Sequence, residues 1–169
     1  KKVVATLRHF DTNAGTANAS QGASEEDEII ITSVEAVGFA GRTVNPNWVA
    51  TGGSDGKLKI WDLSRGDGGQ CRQVCAVKEE TDNGPASTGG ITKIAWHPTQ
   101  PVIFTSYTDG AVRLWDARNG HLVHTLTGGK SDNQINDISL EVFGTDEGAP
   151  GTAIVVTAHD DGNTKVFNV

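Results

Sequence analysis

Short runs in which apolar and polar residues alternate recur along the chain, and turn-forming pairs separate them. The run KLKIWD at 57–62 alternates in this way and follows an Asp-Gly pair at 55–56. A period of two places successive side chains on opposite faces of a strand, and Asp-Gly supplies the positive φ that tight hairpins need. No long run has helical spacing. The pattern therefore predicts an all-β fold of many short strands.

One twelve-residue stretch of this kind occurs three times. TGGSDGKLKIWD at 51–62 is repeated as TSYTDGAVRLWD at 105–116 and, more weakly, as TAHDDGNTKVFN at 157–168. The copies begin 54 and then 52 residues apart (105 − 51 and 157 − 105). Such offsets are typical of a propeller blade with a period of about 40 to 50 residues plus insertions. The recurrence indicates an architectural unit.

The first copy also contains Gly52-x-Ser54-x-Gly56, which is the spacing of a hydrolase nucleophile elbow. Thr108 and Asp160 take the place of Ser54 in the other copies. A nucleophile would not vary in this way across equivalent turns, and no histidine is placed nearby in the sequence to activate it. We expect no catalytic residue, and a serine hydrolase that uses Ser54 is only an alternative.

Each copy extends into a unit of up to four predicted strands. The units cover 34–90, 91–134 and 135–169, and the last lacks its outer strand. Residues 1–10 are predicted to be the last strand of a preceding unit, and residues 11–33 are predicted to be an acidic loop insertion. Because such units close into a ring only in groups of about four to eight, three units and a strand predict the C-terminal portion of a longer β-propeller.

These repeats resemble the WD-repeat β-propeller family over nearly the whole chain. In that family, each blade holds a structural set of a Trp, a strand hydroxyl, a turn Asp and a His from the preceding loop. The resemblance implies the same structural role for His9, Thr51, Asp55, Trp61, Thr105, Asp109 and Trp115. The second and third units carry Gly-Gly at 89–90 and 128–129 where the family has Gly-His, and Phe167 cannot donate a hydrogen bond. Their sets are therefore expected to be incomplete.

Three longer segments resemble a narrower group, the angio-associated migratory cell protein subfamily. They are CRQVCA at 71–76, VIFTSYTDGAVRLWDARNGHLV at 102–123 and VVTAHDDGNTKVFNV at 155–169. Fungal relatives in this subfamily are dedicated chaperones of a QM-type ribosomal protein of the large subunit. The resemblance implies a role in ribosome biogenesis, with the basic N-terminal segment of that protein as partner, in the cytoplasm and also the nucleus. Another WD-repeat adaptor in a nuclear or ubiquitin-linked complex is the alternative.

The net charge of −7 indicates which kind of molecule the protein is expected to bind. It disfavours a nucleic-acid surface, which is normally basic, and favours a basic protein partner. No apolar stretch approaches the ~20 residues that a membrane helix needs. We expect no metal or cofactor. Cys71 and Cys75 would lie about 13 Å apart on a strand, beyond the ~7 Å reach of a disulfide, so reduced thiols are expected.

Propeller topology predicts where the acidic residues lie. The loops that enter the innermost strands and the turns between second and third strands share one face. We expect this face to bind the partner through Glu25, Glu26, Asp27, Glu28, Glu35, Glu79, Glu80, Asp82 and Asp137. The alternative for the insertion at 11–28 is a solvated loop with no partner.

Overall fold

The computed structural model describes residues 3, 5–10, 33–64, 69–77, 80–81, 84–85, 89–128, 133–144 and 151–169. The first sheet, blade 1, consists of β1 (Val34–Phe39), β2 (Trp48–Gly53), β3 (Leu58–Asp62) and β4 (Gln70–Cys75). A short hairpin of β5 (Glu80–Thr81) and β6 (Gly84–Pro85) follows.

The next two sheets repeat the arrangement of blade 1. Blade 2 consists of β7 (Ile91–Trp96), β8 (Val102–Tyr107), β9 (Val112–Asp116) and β10 (Leu122–Leu126). Blade 3 has three strands, β11 (Ile135–Phe143), β12 (Thr152–His159) and β13 (Thr164–Asn168). Within each sheet, neighbouring strands follow chain order and pair antiparallel. The all-β prediction and its three blades are confirmed.

Asp-Gly turns connect the second and third strands of every blade, as the repeat predicts. Gly56, Gly110 and Gly162 have φ values of 72°, 81° and 82°. L-residues with a Cβ rarely adopt this region, so glycine is required here. The turns fix the register, and Trp61 and Trp115 consequently occupy equivalent buried positions at 6% and 1% exposure.

Apolar cores lie between consecutive blades. Leu58 and Ile60 of blade 1 pack with Ile103 and Trp115 of blade 2 in the first core. The second core contains Phe104, Leu114 and Val112 from blade 2, with side chains from blade 3. Because blade 2 is covered on both faces, β8 is buried almost throughout, including the polar side chains of Thr105 and Ser106. The described residues include no helix with the length and hydrophobicity needed to cross a membrane.

The strand predicted at residues 1–10 stays a prediction, because the described sheets do not include the blade that it would complete. Residues 5–8 have no regular structure, and residues 9–10 form a bend. This segment lies along blade 1, where the Leu7 side chain closely approaches the backbone at Gly69. A strand needs a neighbour that accepts and donates its backbone hydrogen bonds, and none of the described sheets includes residues 5–10.

Candidate functional site

The hydroxyl of Thr51 is the centre of a hydrogen-bonded set in blade 1. Trp61 Nε1 donates to Thr51 Oγ1 at 2.8 Å, and a second hydrogen bond joins Thr51 Oγ1 to His9 Nδ1 at 2.6 Å. His9 Nε2 lies 3.7 Å from Asp55 Oδ1. Asp55 Oδ1 also accepts a hydrogen bond from Lys57 N at 3.1 Å, which closes the turn. The structure thus brings together the four blade 1 residues named from the sequence, and we call them the structural tetrad.

The imidazole of this tetrad lies in a buried environment that favours its neutral form. His9 is only 3% exposed, and burial lowers its pKa below the usual 6.5, although Asp55 opposes the shift. A Cβ placed on Gly53 would lie 2.7 Å from His9 Nε2 and 2.5 Å from Asp55 Oδ1. Gly53 therefore leaves the space that the histidine ring fills. The ring reaches its place from a segment 42 residues before Thr51.

Blade 2 fills the same space from its own strand. Tyr107, equivalent to Gly53, is fully buried and lies beside Thr105 and Trp115, and burial raises the pKa of its phenol to about 12. Trp115 Nε1 donates to Thr105 Oγ1 at 2.9 Å, as Trp61 does to Thr51 in blade 1. The Tyr107 ring thus takes the place of the histidine that Gly-Gly at 89–90 cannot supply.

An ion pair covers this tyrosine. The guanidinium of Arg113 lies 4.3 Å from the centre of the Tyr107 ring. Arg113 Nη2 also contacts Asp109 Oδ2 at 2.7 Å, and the Arg113 side chain is only 8% exposed. Asp109 Oδ1 accepts a hydrogen bond from Ala111 N at 3.0 Å. The same carboxylate therefore closes the turn and balances the positive charge of Arg113.

Blade 3 uses a histidine at the same strand position. His159 Nε2 and Thr157 Oγ1 are hydrogen-bonded at 2.9 Å, and His159 Nδ1 contacts the carbonyl oxygen of Asn133 at 2.9 Å. The sets of blades 2 and 3 differ from the tetrad of blade 1, as expected: the Tyr107 hydroxyl has no hydrogen-bond partner among the described residues, and Phe167 has no donor group. Side chains two residues after the central Thr nevertheless occupy the strand position of Gly53. The sequence carried a signal for this substitution: the position is Gly53 where a loop histidine is present, and Tyr107 or His159 where it is not.

The innermost strands share a second feature at the face where the Asp-Gly turns lie. The pairing register of each shifts after its first residue, leaving Glu35, Thr92 and Asn136 as bulged residues. A bulge at the end of a sheet changes the direction in which side chains point. The three bulges lie at equivalent positions of the three blades. We call this edge of the three blades the rim.

Hydrogen bonds to the turns hold the rim in place. Ser54 Oγ accepts a hydrogen bond from Ser33 N at 3.0 Å, and Thr108 Oγ1 accepts one from Gly90 N at 3.0 Å. The turn amides of Ser54 and Thr108 donate back to the carbonyl oxygens of Ser33 and Gly90. Ser54 thus performs the same structural task as a threonine one blade away, which supports a turn residue rather than a nucleophile.

A cleft of about 470 Å³ opens on this rim where the three blades meet. The bulged residues Glu35, Thr92 and Asn136 line it, together with the turn hydroxyls and Lys93. A Cβ on Gly90 would lie 3.1 Å from the Cα of Ser54, so this glycine allows blades 1 and 2 to approach closely beneath the cleft. The cleft is polar and offers both signs of charge.

Two of the nine predicted partner-binding residues can be located with their side chains. Glu35 is exposed, lines the cleft and accepts a hydrogen bond from the Ser33 hydroxyl. Asp137 is exposed and directly follows Asn136 of the cleft lining. Seven side chains lie outside the described residues, although the backbone of Glu80 is part of β5: Glu25, Glu26, Asp27, Glu28, Glu79, Glu80 and Asp82. The acidic face stays a prediction, and Lys93 is a charged rim residue that the sequence analysis did not identify.

The two cysteines and the possible metal ligands are the other candidate reactive groups. Cys71 is exposed and Cys75 is buried, and both are free thiols. Burial raises the pKa of the Cys75 thiol to about 12, which leaves it uncharged and unreactive. Within the described ranges, no group of three or more His, Cys, Asp or Glu side chains is arranged to hold a metal ion.

Two family descriptions match parts of the chain. The anaphase-promoting complex subunit 4 WD40 domain matches residues 59–142, and the WD domain, G-beta repeat, matches residues 42–62. A solved structure supports the same architecture: the crystal structure of Saccharomyces cerevisiae Sqt1 has a TM-score of 0.64 and 21% sequence identity. This similarity covers 89% of the present chain and 34% of Sqt1.

Curated relatives match over almost the full length of the chain. Angio-associated migratory cell protein of Canis lupus familiaris is 33% identical over 168 residues, and the human protein is 32% identical. Each alignment covers 99% of this chain and 32% of the relative. Target of rapamycin complex subunit LST8 of Mus musculus is 28% identical, with 96% and 41% covered. The chain thus spans about a third of the length of the migratory cell proteins that it matches.

Proposed function

The chain carries WD40 repeats and forms part of a WD β-propeller, and from this premise we propose that it is a non-enzymatic protein-binding scaffold. The cleft at the rim is the observation that carries the proposal. It lies where three blades meet, so residues far apart in the sequence can contact one partner. Loops and turns on a rigid scaffold are where binding residues concentrate.

The partner that we propose is the basic N-terminal segment of a QM-type ribosomal protein of the large subunit. The support is the resemblance to the subfamily whose fungal members are chaperones of that protein, together with the net charge of −7. A chaperone in ribosome assembly would hold this segment until the ribosomal protein is placed. The cytoplasm and the nucleus are the compartments that this role requires.

Electrostatic attraction supplies the physical basis of this binding. An exposed ion pair contributes only about 0 to 1 kcal/mol, so no single carboxylate carries the affinity. Several carboxylates on one face act together on a basic segment and accelerate its association by ~10-fold or more, an effect that salt screens. Glu35 and Asp137 lie on strands paired within blades 1 and 3, which hold them at fixed positions on the rim and make them the best-placed residues to bind side chains of the partner.

Charge reversal on the rim tests this proposal. Glu35→Lys combined with Asp137→Lys should weaken binding of a basic peptide more than neutralisation of residues 25–28, measured by fluorescence anisotropy at two salt concentrations. Glu141→Lys is the charge-matched control for Asp137→Lys alone, because Glu141 is exposed on the same strand, about 13 Å further along. Equal binding of basic and neutral peptides by the unaltered protein, without salt dependence, would exclude the mechanism.

A second candidate is a subunit of a larger assembly in the nucleus or in ubiquitin transfer. It is favoured by the match to the anaphase-promoting complex subunit 4 WD40 domain over residues 59–142. Purification of the intact protein from its source distinguishes the two candidates. A stable complex that keeps its stoichiometry in high salt would favour the subunit role, whereas one small basic partner that high salt releases would favour the chaperone.

A further inference from the structure

Charges of opposite sign alternate at and beside the bulges of the described rim. The residues that follow the three bulges are Ala36, Lys93 and Asp137, at equivalent positions of blades 1, 2 and 3. Blade 1 carries its charge on the bulged residue itself, Glu35. At and beside the three bulges, the described residues therefore present a carboxylate, an ammonium and a carboxylate in successive blades. A surface that served only to attract cations would gain nothing from the central Lys93, which repels them.

Glu35 and Lys93 line the same cleft, which limits the ligand that can contact both. A volume of about 470 Å³ is that of a cube with an edge of roughly 8 Å, and an extended chain advances ~3.3–3.6 Å per residue. About two residues of an extended segment fit into this space. The hydroxyl of Thr92 and the amide of Asn136 provide neutral hydrogen-bonding groups around them.

We propose that the cleft is a mixed-charge subsite, in which Glu35 binds a guanidinium or ammonium group and Lys93 binds a carboxylate of the same peptide segment. The proposal rests on the proposed function, since it names the part of a basic partner that the cleft selects. The selected segment carries an acidic residue next to a basic one or one residue away. Lys93 is a specificity-determining residue, because it penalises segments with two neighbouring cations.

Matched synthetic peptides test this specificity in the intact protein. Three peptides share one basic sequence and differ at a single position beside a central arginine, which is Glu, Gln or Arg. We expect the Glu peptide to bind about three-fold more tightly than the Gln peptide, the size of one exposed ion pair. The Arg peptide should bind less tightly than the Gln peptide despite its greater positive charge.

Substitution of the lysine should reverse this order. Lys93→Glu is expected to favour the Arg peptide over the Glu peptide, and Lys93→Gln should remove the preference without reversing it. Arg42→Glu is the control, because it changes the net charge by the same amount as Lys93→Glu. Arg42 is exposed in the β1–β2 connection, which propeller topology places on the face opposite the cleft. Arg42→Glu should keep the order of the three peptides.

The outcomes separate the two proposals. If the peptides bind with salt dependence but their order follows net charge alone, in the unaltered protein and in Lys93→Glu, the mixed-charge subsite is wrong and the basic-partner proposal stands. If none of the peptides binds at any salt concentration, the basic-partner proposal fails and the subsite fails with it. The Lys93→Gln variant preserves the test if Lys93→Glu does not fold.

Discussion

Replacing Thr51 with valine should destabilise the protein strongly, although the two side chains have nearly the same shape. The hydroxyl accepts a hydrogen bond from Trp61 Nε1 and is hydrogen-bonded to His9 Nδ1, and all three residues are buried. Each buried polar group left without a partner costs about 1–3 kcal/mol, and the added methyl group offsets a fraction of that cost. We expect Thr51→Val to lower the free energy of unfolding by about 2–4 kcal/mol.

The other blades supply an internal comparison. Thr105→Val removes the acceptor of one buried donor, Trp115 Nε1, and should cost about 1–3 kcal/mol, less than Thr51→Val. Urea unfolding followed by tryptophan fluorescence measures both, provided that the slope of the free energy against urea does not change. Thr164→Val, on an exposed strand position, is the control and should leave the midpoint unchanged.

A small effect would refute the explanation of the tetrad. If Thr51→Val costs less than about 0.5 kcal/mol, the two hydrogen bonds do not stabilise blade 1. A double-mutant cycle with Trp61→Phe gives a sharper test, because residues that share a hydrogen bond should show a coupling energy of about 0.5–3 kcal/mol. Strict additivity of the two substitutions would show that the Thr51–Trp61 contact contributes nothing by itself.

Two further predictions concern titration and ion pairing. Burial lowers the pKa of His9 below 6.5, so the unfolded chain binds the proton more readily than the folded protein does. The contribution of neutral His9 to stability is therefore complete above about pH 6.5. It is lost as the pH falls through the lower pKa of the folded state. His9→Gln should therefore flatten the dependence of the urea midpoint on pH below 6.5, and an unchanged slope would exclude His9 as its source. Arg113→Ala should cost about 2 kcal/mol, because the 8% exposed side chain packs on Tyr107 and pairs with Asp109. Arg118→Ala breaks an ion pair of the same 2.7 Å length but is 70% exposed, and should leave thermal unfolding unchanged.

The sequence was sufficient to predict the blades because their determinants are local. Strict alternation sets the faces of each strand, and Asp-Gly sets the turn. When both recur at a fixed spacing, as at 51–62 and 105–116, register and the burial of Trp61 and Trp115 follow. The blade 1 tetrad could be named because its four residues match a known family pattern, including His9, whose contacts depend on tertiary structure.

Features that depend on packing or register could not be predicted in this way. Tyr107 and His159 take the place of loop histidines because the strand position two residues after the central Thr lies beside that threonine in the folded blade. This proximity depends on packing, and the order of residues along the chain does not reveal it. Lys93 shows the same limit, since each bulge shifts the register by one residue and changes which side chains line the rim. The strand predicted at 1–10 stays a prediction, because none of the described sheets offers a pairing neighbour to this segment.

The position of Tyr107 and His159 changes which parts of the chain are free to vary. Blade 1 depends on a residue 42 positions before Thr51, so an altered length or conformation near His9 would disturb a buried hydrogen bond. In blades 2 and 3, the equivalent side chain, Tyr107 or His159, lies on the same strand as the central threonine, only two residues after it. The segments that enter these blades therefore need not supply a buried histidine side chain, although the backbones of Gly90 and Asn133 still bind the Thr108 turn and His159.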